Sequence, residues 1–443
     1  MRPAIPNGAP GSGLTLVTGP NNSGKSTLLE VLKIRGQNAP SFHVGQRNEL
    51  TDFVTLEFEF DTHLETVCSL KKGSSESVST NCKINEAPVY YVPSRRHINH
   101  SFGKNHPADR ASHMNSFMNS GQDRGPSING FEARFLKLEV DQDLFNPFLR
   151  KILPDLLEWA VDQDQNSSYF IKKWSENKKH SSAGLGEGVI SAFVIAASLY
   201  DSKPGETIVI DEPELSLHPS VQKRLIALIE ELSSDRQIII ATHSPYFITQ
   251  KSICGGCSIV RSWDRKGAIE VYTTSINDDK VDIDKLIAVN VNNPHVFGLN
   301  AREVFFLEDG VLVLEGQEDA VLWPVYVDDN AFSYNIFGWG AGGAGNVPHV
   351  LSLLKALGFM QVAAILDNDQ GPTCAVLKEK YPDYFCAMIP APDIRTKGAR
   401  ATTAEKLGLL NSKMQIRDTL KDELEQLVQS IHATLVIKAD NTN

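Results

Sequence analysis

The chain has 443 residues, 41% hydrophobic and 22% charged, with a formal net charge of −11. That length exceeds one ordinary hydrophobic core and predicts two or three domains, and the acidic balance excludes a protein that coats nucleic acid indiscriminately while leaving room for local basic stretches. Six scattered cysteines suit a reducing cytosol, MRPAIPNGAPGSG at the start has no apolar core of signal-peptide length, and the longest nearly apolar run, ISAFVIAASLY, is far shorter than a membrane span; a cytoplasmic protein without membrane contact is expected.

In chain order, GLTLVTG (13–19) reads as a short buried strand and GKSTLLEVLK (24–33) as the helix after it. Alternating β-rich runs follow between 52 and 94, then a polar, turn-rich stretch over 95–130 that reads as an exposed insertion. FEARFLKLEVDQDLFNPFLRKILPDLLEWAV has helical spacing of its apolar residues, with a break expected near Pro154. After 187 helix and strand alternate: EGVISAFVIAASLY, TIVIDEP, HPSVQKRLIALIEEL, QIIIATHSP. Such alternation predicts a parallel α/β sheet. CSIVRSWDRKGAIEVYTTS reads as a hairpin, a polar connection spans 276–305, and GVLVLEG, FSYNIFG, QVAAILD and YFCAMIP predict a second, smaller α/β domain. KDELEQLVQSIHATLVIKAD reads as a helical C-terminal element.

GPNNSGKST (19–27) satisfies G-x-x-x-x-G-K-[ST]. Gly19 and Gly24 let backbone N–H groups of the loop, with Asn21, Asn22 and Thr27, wrap phosphates that a Cβ would obstruct. Lys25 is placed to reach the terminal phosphates and Ser26 to hold Mg²⁺. TIVIDEPELSLHP (207–219) ends an apolar strand at Asp211, whose carboxylate can reach the same Mg²⁺ through water, and Glu212 follows, placed to orient an attacking water. ATHSP puts His243 at the next strand's end, suited to sensing the γ-phosphate. ATP is the implied nucleotide.

The order GPNNSGKST, SSAGLGEG, VIDEPELSLHP, IIATHSP resembles the ABC-type ATPases of the SMC-like and OLD (overcoming lysogenization defect) kind, over residues 1 to about 275. The resemblance implies two heads sandwiching ATP, hence a homodimer or higher homo-oligomer through the ATPase heads. HSSAGLGEG holds the signature position with Ser182 and Gly184 matching in kind, although it departs from the usual LSGGQ; Gln46 is the Q-loop candidate, and YVPSRR resembles the iPxxR stretch with Arg96 at the matching position.

A second group of acids lies far downstream. In VLVLEGQEDAVL (311–322) a buried strand ends at Glu315, with Asp319 four residues on; in AAILDNDQ another apolar run ends at Asp367 and Asp369. Neighbouring parallel strands would bring these acids to one C-terminal sheet edge, where open α/β sheets place their sites. Four carboxylates there repel unless a divalent cation, Mg²⁺ or Mn²⁺, neutralises them. This E-G-x-x-D … D-x-D arrangement resembles the TOPRIM domain of topoisomerases, primases and OLD nucleases, and the glycine-rich GWGAGGAGN (338–346) fits it. The resemblance implies metal-dependent phosphodiester hydrolysis with Glu315, Asp367 and Asp369 as metal ligands and Asp319 serving a second ion; APDIRTKGAR offers a further acid, Asp393, and Lys397, which either stabilises the scissile phosphate or holds the DNA backbone.

The expected fold is therefore α/β: an ABC-type P-loop ATPase head over 1–285, with a β-rich lobe and a helical insertion at about 95–180, then a Rossmann-like TOPRIM domain over 300–402 and a helical element over 403–443. The resemblance implies an OLD-type endonuclease of bacterial antiphage defence, cutting DNA rather than RNA, with a defence-system partner protein or ribonucleoprotein as in retron or Gabija systems. Two alternatives stay open: a non-cutting TOPRIM remnant that binds DNA ends or a partner, and an effector that cleaves RNA such as tRNA.

Overall fold

A computed structural model describes residues 1–36, 42, 53–69, 77–82, 88–96, 132–154, 158–163, 169–175, 178–181, 186–265, 268–274, 293–327, 334–398 and 405–435. Its contacts group into two compact units, one of Arg2–Val17 and Gly24–Ile259, the other of Met1, Thr18–Ser23 and Val260–Asn443.

In the first unit β1 (Leu14–Thr18) precedes the helix Lys25–Arg35. β2 (Thr55–Glu59), β3 (Leu64–Ser69) and β4 (Ser77–Thr80) form an antiparallel sheet. β3 buries Glu65, Val67 and Ser69 and leaves the residues between them more exposed, as a sheet packed on one face requires. The buried Glu65 carboxylate accepts two bonds from the Arg35 guanidinium, both 3.0 Å, so the charge at the helix end satisfies the charge inside the sheet. β5 (Val89–Val92) follows; β6 (Glu158–Gln163), β7 (Tyr169–Ser175) and β8 (Lys178–Ser181) make a further antiparallel sheet.

β9 (Thr207–Asp211) and β10 (Gln237–Ala241) complete a parallel array in the order β1-β10-β9-β5, in register through Leu14 opposite Ile238 and Gln237 opposite Thr207. These strands are almost continuously apolar and buried, the composition of parallel sheets closed on both faces. The helices Glu187–Asp201 and Pro219–Leu232 stand where the 3.6-residue spacing predicts them.

The stretch from 131 to 161 differs from its helical reading. Helices Glu132–Val140 and Gln142–Arg150 form, but after Pro154 the chain becomes β6. Trp159 and Val161 are buried while Glu158 is exposed and Ala160 and Asp162 half-buried, a period of two. Trp159 meets Phe193 edge-on at 4.9 Å between ring centres, which fixes that register.

In the second unit, β11 (Ser258–Arg265) and β12 (Ala268–Thr274) form the expected hairpin. From Val260 onward it groups with the C-terminal residues, although sequence reading assigns it to the ATPase domain. Arg261 is fully buried, sandwiched between Trp263 (3.6 Å) and Phe359 (3.9 Å), and donates to the carbonyls of Leu357, Phe305 and Leu307. Burial pulls its pKa down to about 8.

β13 (Val311–Leu314), β14 (Asn335–Ile336), β15 (Val362–Leu366) and β16 (Phe385–Met388) form an all-parallel sheet in the order β14-β13-β15-β16. The chain leaves β13 to one side and returns past it to β15, so the topological switch point lies between the two central strands. Leu312, Leu314, Ala363 and Ile365 form its core with Ile431 and Leu435 of the helix Lys421–Leu435. The residues before that helix are extended: Lys397 and Lys406 pair antiparallel, and Arg395 bridges to Leu410.

Candidate nucleotide and metal sites

The glycine loop opens directly into the helix Lys25–Arg35, with Gly24 in the left-handed region at φ 85°. Lys25 is only 7% exposed, and burial lowers its pKa to about 8 against the opposing pull of Glu212, Asp211 and Glu214. Asn21, Asn22, Ser26 and Thr27 are exposed. Beside the loop's start, Ser23 Oγ lies 2.8 Å from Ser262 Oγ, and a Cβ on Gly19 would come within 2.4 Å of the Ser262 carbonyl.

Asp211 ends β9, buried, with the Tyr91 hydroxyl donating to it at 3.4 Å. Burial, and then the neighbouring Glu212, push its carboxyl above the usual range. Glu212 sits at φ 43°, a conformation that costs a non-glycine residue about 1–3 kcal/mol and persists only where surroundings enforce it. Arg96 supplies that enforcement. Its guanidinium donates to the carbonyls of Asp211 (2.9 Å), Glu212 (2.8 Å) and Pro93 (2.8 Å) and to Ser191 Oγ (2.7 Å). His243 Nε2 lies 3.8 Å from Glu212 Oε1, and burial together with Lys25 lowers its pKa.

Glu214, absent from the sequence-based set, orders this corner. It accepts from the His243 N–H at 2.6 Å and from Thr242 Oγ1 at 2.8 Å. Its only signal in sequence was position, two residues beyond Glu212 in DEPE. Gln46, Ser182 and Gly184 lie outside the described residues.

At the second sheet, Glu315 follows β13 and Asp367 follows β15, one on each side of the switch point. The Asp367 N–H donates to Glu315 Oε2 at 3.0 Å, so these two strand tips are joined. A cap at the start of the next helix turns Asp319 back toward the end of β13. That helix, Gln317–Leu322, begins after Glu315, and Asp319 Oδ2 folds back to accept from the Gly316 N–H at 2.8 Å.

Burial, then Asp319, Glu315 and Asp393, push the Asp367 carboxyl up to about 8, and Asp367 Oδ1 is buried without a hydrogen-bond partner among the described residues. Asp319 is raised to about 6, chiefly by burial, then by Glu315 and Asp393.

The other charges are already paired. Asp393, 4% exposed, accepts from Lys397 Nζ at 2.7 Å and has Lys406 Nζ at 3.6 Å. Lys397 Nζ also lies 3.1 Å from Glu318, which Arg395 binds at 2.6 Å. Against the pull of partial burial, Lys406, 3.0 Å away, holds Asp369 below the usual carboxylate range. Among the described residues, no three acid, histidine or cysteine side chains are drawn together closely enough to hold an ion as they stand. Lys406 was invisible in TTAEKLG, where it reads as surface charge; its backbone pairing with Lys397 brings both ammonium groups to the acids.

Residues 84–249 match the family described as "AAA domain, putative AbiEii toxin, Type IV TA system". A segment of 142 residues, 30% of the chain, is 32% identical to the Old nuclease of Escherichia phage P2 and covers 22% of that protein. Over 273 residues, 54% of the chain, identity to the Septu protein PtuA of Bacillus thuringiensis is 24%, covering 68% of it. The chain carries an ATPase module of the AAA/ABC type. Among solved structures, the Smc head domain from Pyrococcus furiosus, bound to the C-terminal domain of ScpA, aligns with 63% of the chain and 93% of its own, at 13% identity and a TM-score of 0.40. Among the described residues no helix is long and apolar enough to cross a membrane.

Proposed function

We propose that the chain is an OLD-type, ATP-regulated endonuclease: an ABC-type head that binds and hydrolyses ATP, and a TOPRIM domain that hydrolyses phosphodiester bonds of nucleic acid, DNA before RNA, with Mg²⁺ or Mn²⁺. The observation that carries this reading is the junction at the switch point, where Glu315 Oε2 accepts from the Asp367 N–H and where Asp367 and Asp319 are raised to about 8 and about 6. Carboxylates that disfavour one another's charge, one with a buried oxygen unpartnered among the described residues, fit a divalent cation. Glu315, Asp367 and Asp319 would hold it, with Asp369 joining once Lys406 lets go. A bound cation of this kind supplies a hydroxide-like nucleophile and neutralises charge on the scissile phosphate. Lys397 stands beside these acids to neutralise phosphate oxygens.

In the head, Lys25 neutralises the terminal phosphates, Ser26 and Asp211 serve Mg²⁺, Glu212 orients the water, and His243 reads the γ-phosphate through Glu212. Gln46, Ser182 and Gly184 are proposed to complete the nucleotide site, the latter two across a homodimer of heads. Antiphage defence in the cytoplasm, alongside a partner protein or ribonucleoprotein, is the proposed setting. A Mn²⁺-dependent nicking assay on supercoiled plasmid, with Asp367→Ala as control, tests the core of the reading; cutting by the variant at the wild-type rate would overturn it.

One observation favours a second reading, a TOPRIM remnant that binds without cutting: Lys406 and Lys397 already neutralise Asp369 and Asp393. A wild-type protein that binds plasmid yet nicks neither plasmid nor tRNA at any Mn²⁺ concentration would select it.

A further inference from the structure

Trp339 is 51% exposed, although glycines close beside it in the same loop are held against neighbouring backbone and side chains. Gly340, at φ 73°, sits so close to the Gly316 backbone that a Cβ there would meet its carbonyl oxygen at 2.3 Å. At Gly342, φ 76°, a Cβ would meet the His295 ring at 2.5 Å. Only glycine allows both approaches. The same loop is bonded to the strand that carries the first acid: Ala341 N–H donates to the Leu314 carbonyl at 2.9 Å and Gly343 N–H to the Glu315 carbonyl at 2.8 Å. The backbone around Trp339 is thus fixed to the tip of β13, while its indole is left outside. An isolated exposed aromatic residue needs no explanation; this one lines a cavity of about 230 Å³ together with Pro294, His295, Leu299 and Asn300.

The lining identifies an occupant. Trp339, Pro294 and Leu299 supply apolar lining, while His295 and Asn300 add an imidazole and a carboxamide. A planar ring with two apolar faces and a hydrogen-bonding edge matches that combination, and the volume lies below what most larger ligands fill. We propose that this cavity receives a single unstacked nucleobase of the nucleic-acid substrate, with the indole of Trp339 as its stacking platform. The inference rests on the nuclease reading and deepens it. A base held here belongs to a nucleotide close to the phosphate that Glu315 and Asp367 address, because the loop is bonded to Glu315 itself. The substrate class is accordingly single-stranded or locally unpaired nucleic acid, since a base inside a duplex cannot reach a side pocket.

The test measures binding in EDTA, where no metal-dependent cutting intervenes. The probe is a fluorescein-labelled single-stranded DNA of about a dozen nucleotides, within the range such sites cover. Trp339→Ala is expected to weaken binding about 5- to 150-fold, whereas Trp339→Phe, which keeps an aromatic face, retains most of it. A walk of single abasic positions along the oligonucleotide should find one position that costs the wild type a similar factor and costs Trp339→Ala almost nothing. The same series on RNA assigns the base to whichever strand shows that coupled loss. Equal binding by wild type and Trp339→Ala overturns the pocket, as does an equal fall in the Ala and Phe variants or an abasic walk in which the two proteins lose alike. If the wild type nicks plasmid but shows one of those results, only the pocket falls. If it neither binds nor cuts, the nuclease reading falls with it.

Discussion

Replacing Asp367 by asparagine should make the metal-free protein more stable at pH 8 and change it little near pH 4. In the unfolded chain Asp367 ionises near 3.8, whereas in the fold burial, Asp319, Glu315 and Asp393 hold its proton to about 8. Between those values the unfolded state binds fewer protons than the folded one, so stability falls as pH rises through the window and levels off above it. One pKa unit corresponds to about 1.4 kcal/mol, which puts the gap of about four units at roughly 5–6 kcal/mol as an upper bound. Asp367 is only partly buried, and solvent screening brings the expected penalty to about 2 kcal/mol.

The assay is thermal unfolding in EDTA at pH 4.5, 6.5 and 8, following the transition of the unit that contains Asp367, because two compact units need not melt together. The wild-type midpoint should drop across the series more steeply than that of Asp367→Asn. Mn²⁺ or Mg²⁺ at about a hundred times its dissociation constant should then stabilise the wild type by about 2.7 kcal/mol and the variant far less. Parallel pH profiles, or equal stabilisation of both proteins by the cation, would refute the claim that these acids are held in mutual repulsion awaiting a positive charge.

Arg96→Ala removes a buried guanidinium that bonds three carbonyls and a hydroxyl; a loss of about 3 kcal/mol in stability and at least a tenfold drop in ATP turnover are expected, with no rescue by lysine, which lacks the planar fork. Lys25→Ala should abolish ATP binding measured with a fluorescent analogue. In the wild type, calorimetry above pH 8 should register proton uptake on binding, because Lys25 titrates near 8 when free and is recharged by phosphate. Lys406→Ala leaves Asp369 and Asp393 less neutralised, so half-saturating Mn²⁺ in a thermal-shift titration should fall about two- to fivefold, the scale of an exposed ion pair; an unchanged titration would show that Lys406 does not compete with the cation.

What could be read from the chain divides along a physical line. A carboxylate at the end of an apolar run is legible, because a buried strand cannot continue through a charge; Asp211, Glu315 and Asp367 all stand at such ends. The P-loop is legible for the same local reason, since strand, glycine turn and helix follow one another without interruption. β6 is not, because Val161 also continues the i, i+4 spacing of Leu153 and Leu157 in the sequence, and two strand positions, Trp159 and Val161, are too few to set a period of two; the rings of Phe145 and Phe193 against Trp159 favour the strand.

Partners supplied by distant segments are the least legible of all. Arg96 bears on Asp211 and Glu212 from more than a hundred residues upstream, and Lys406 reaches Asp369 only through a pairing of irregular backbone with Lys397. Motifs therefore identify which groups carry charge, while the groups that tune it are set by topology. That asymmetry explains why reading residues 311–369 alone overstates the readiness of the acidic site: Glu315 and Asp367 stand at the strand ends where the spacing puts them, yet Lys406, from beyond that stretch, holds Asp369 in an ion pair. In the proposed metal site, Asp369 can serve a cation only once the Lys406 contact opens, whereas Asp367 keeps an Oδ1 with no hydrogen-bond partner among the described residues.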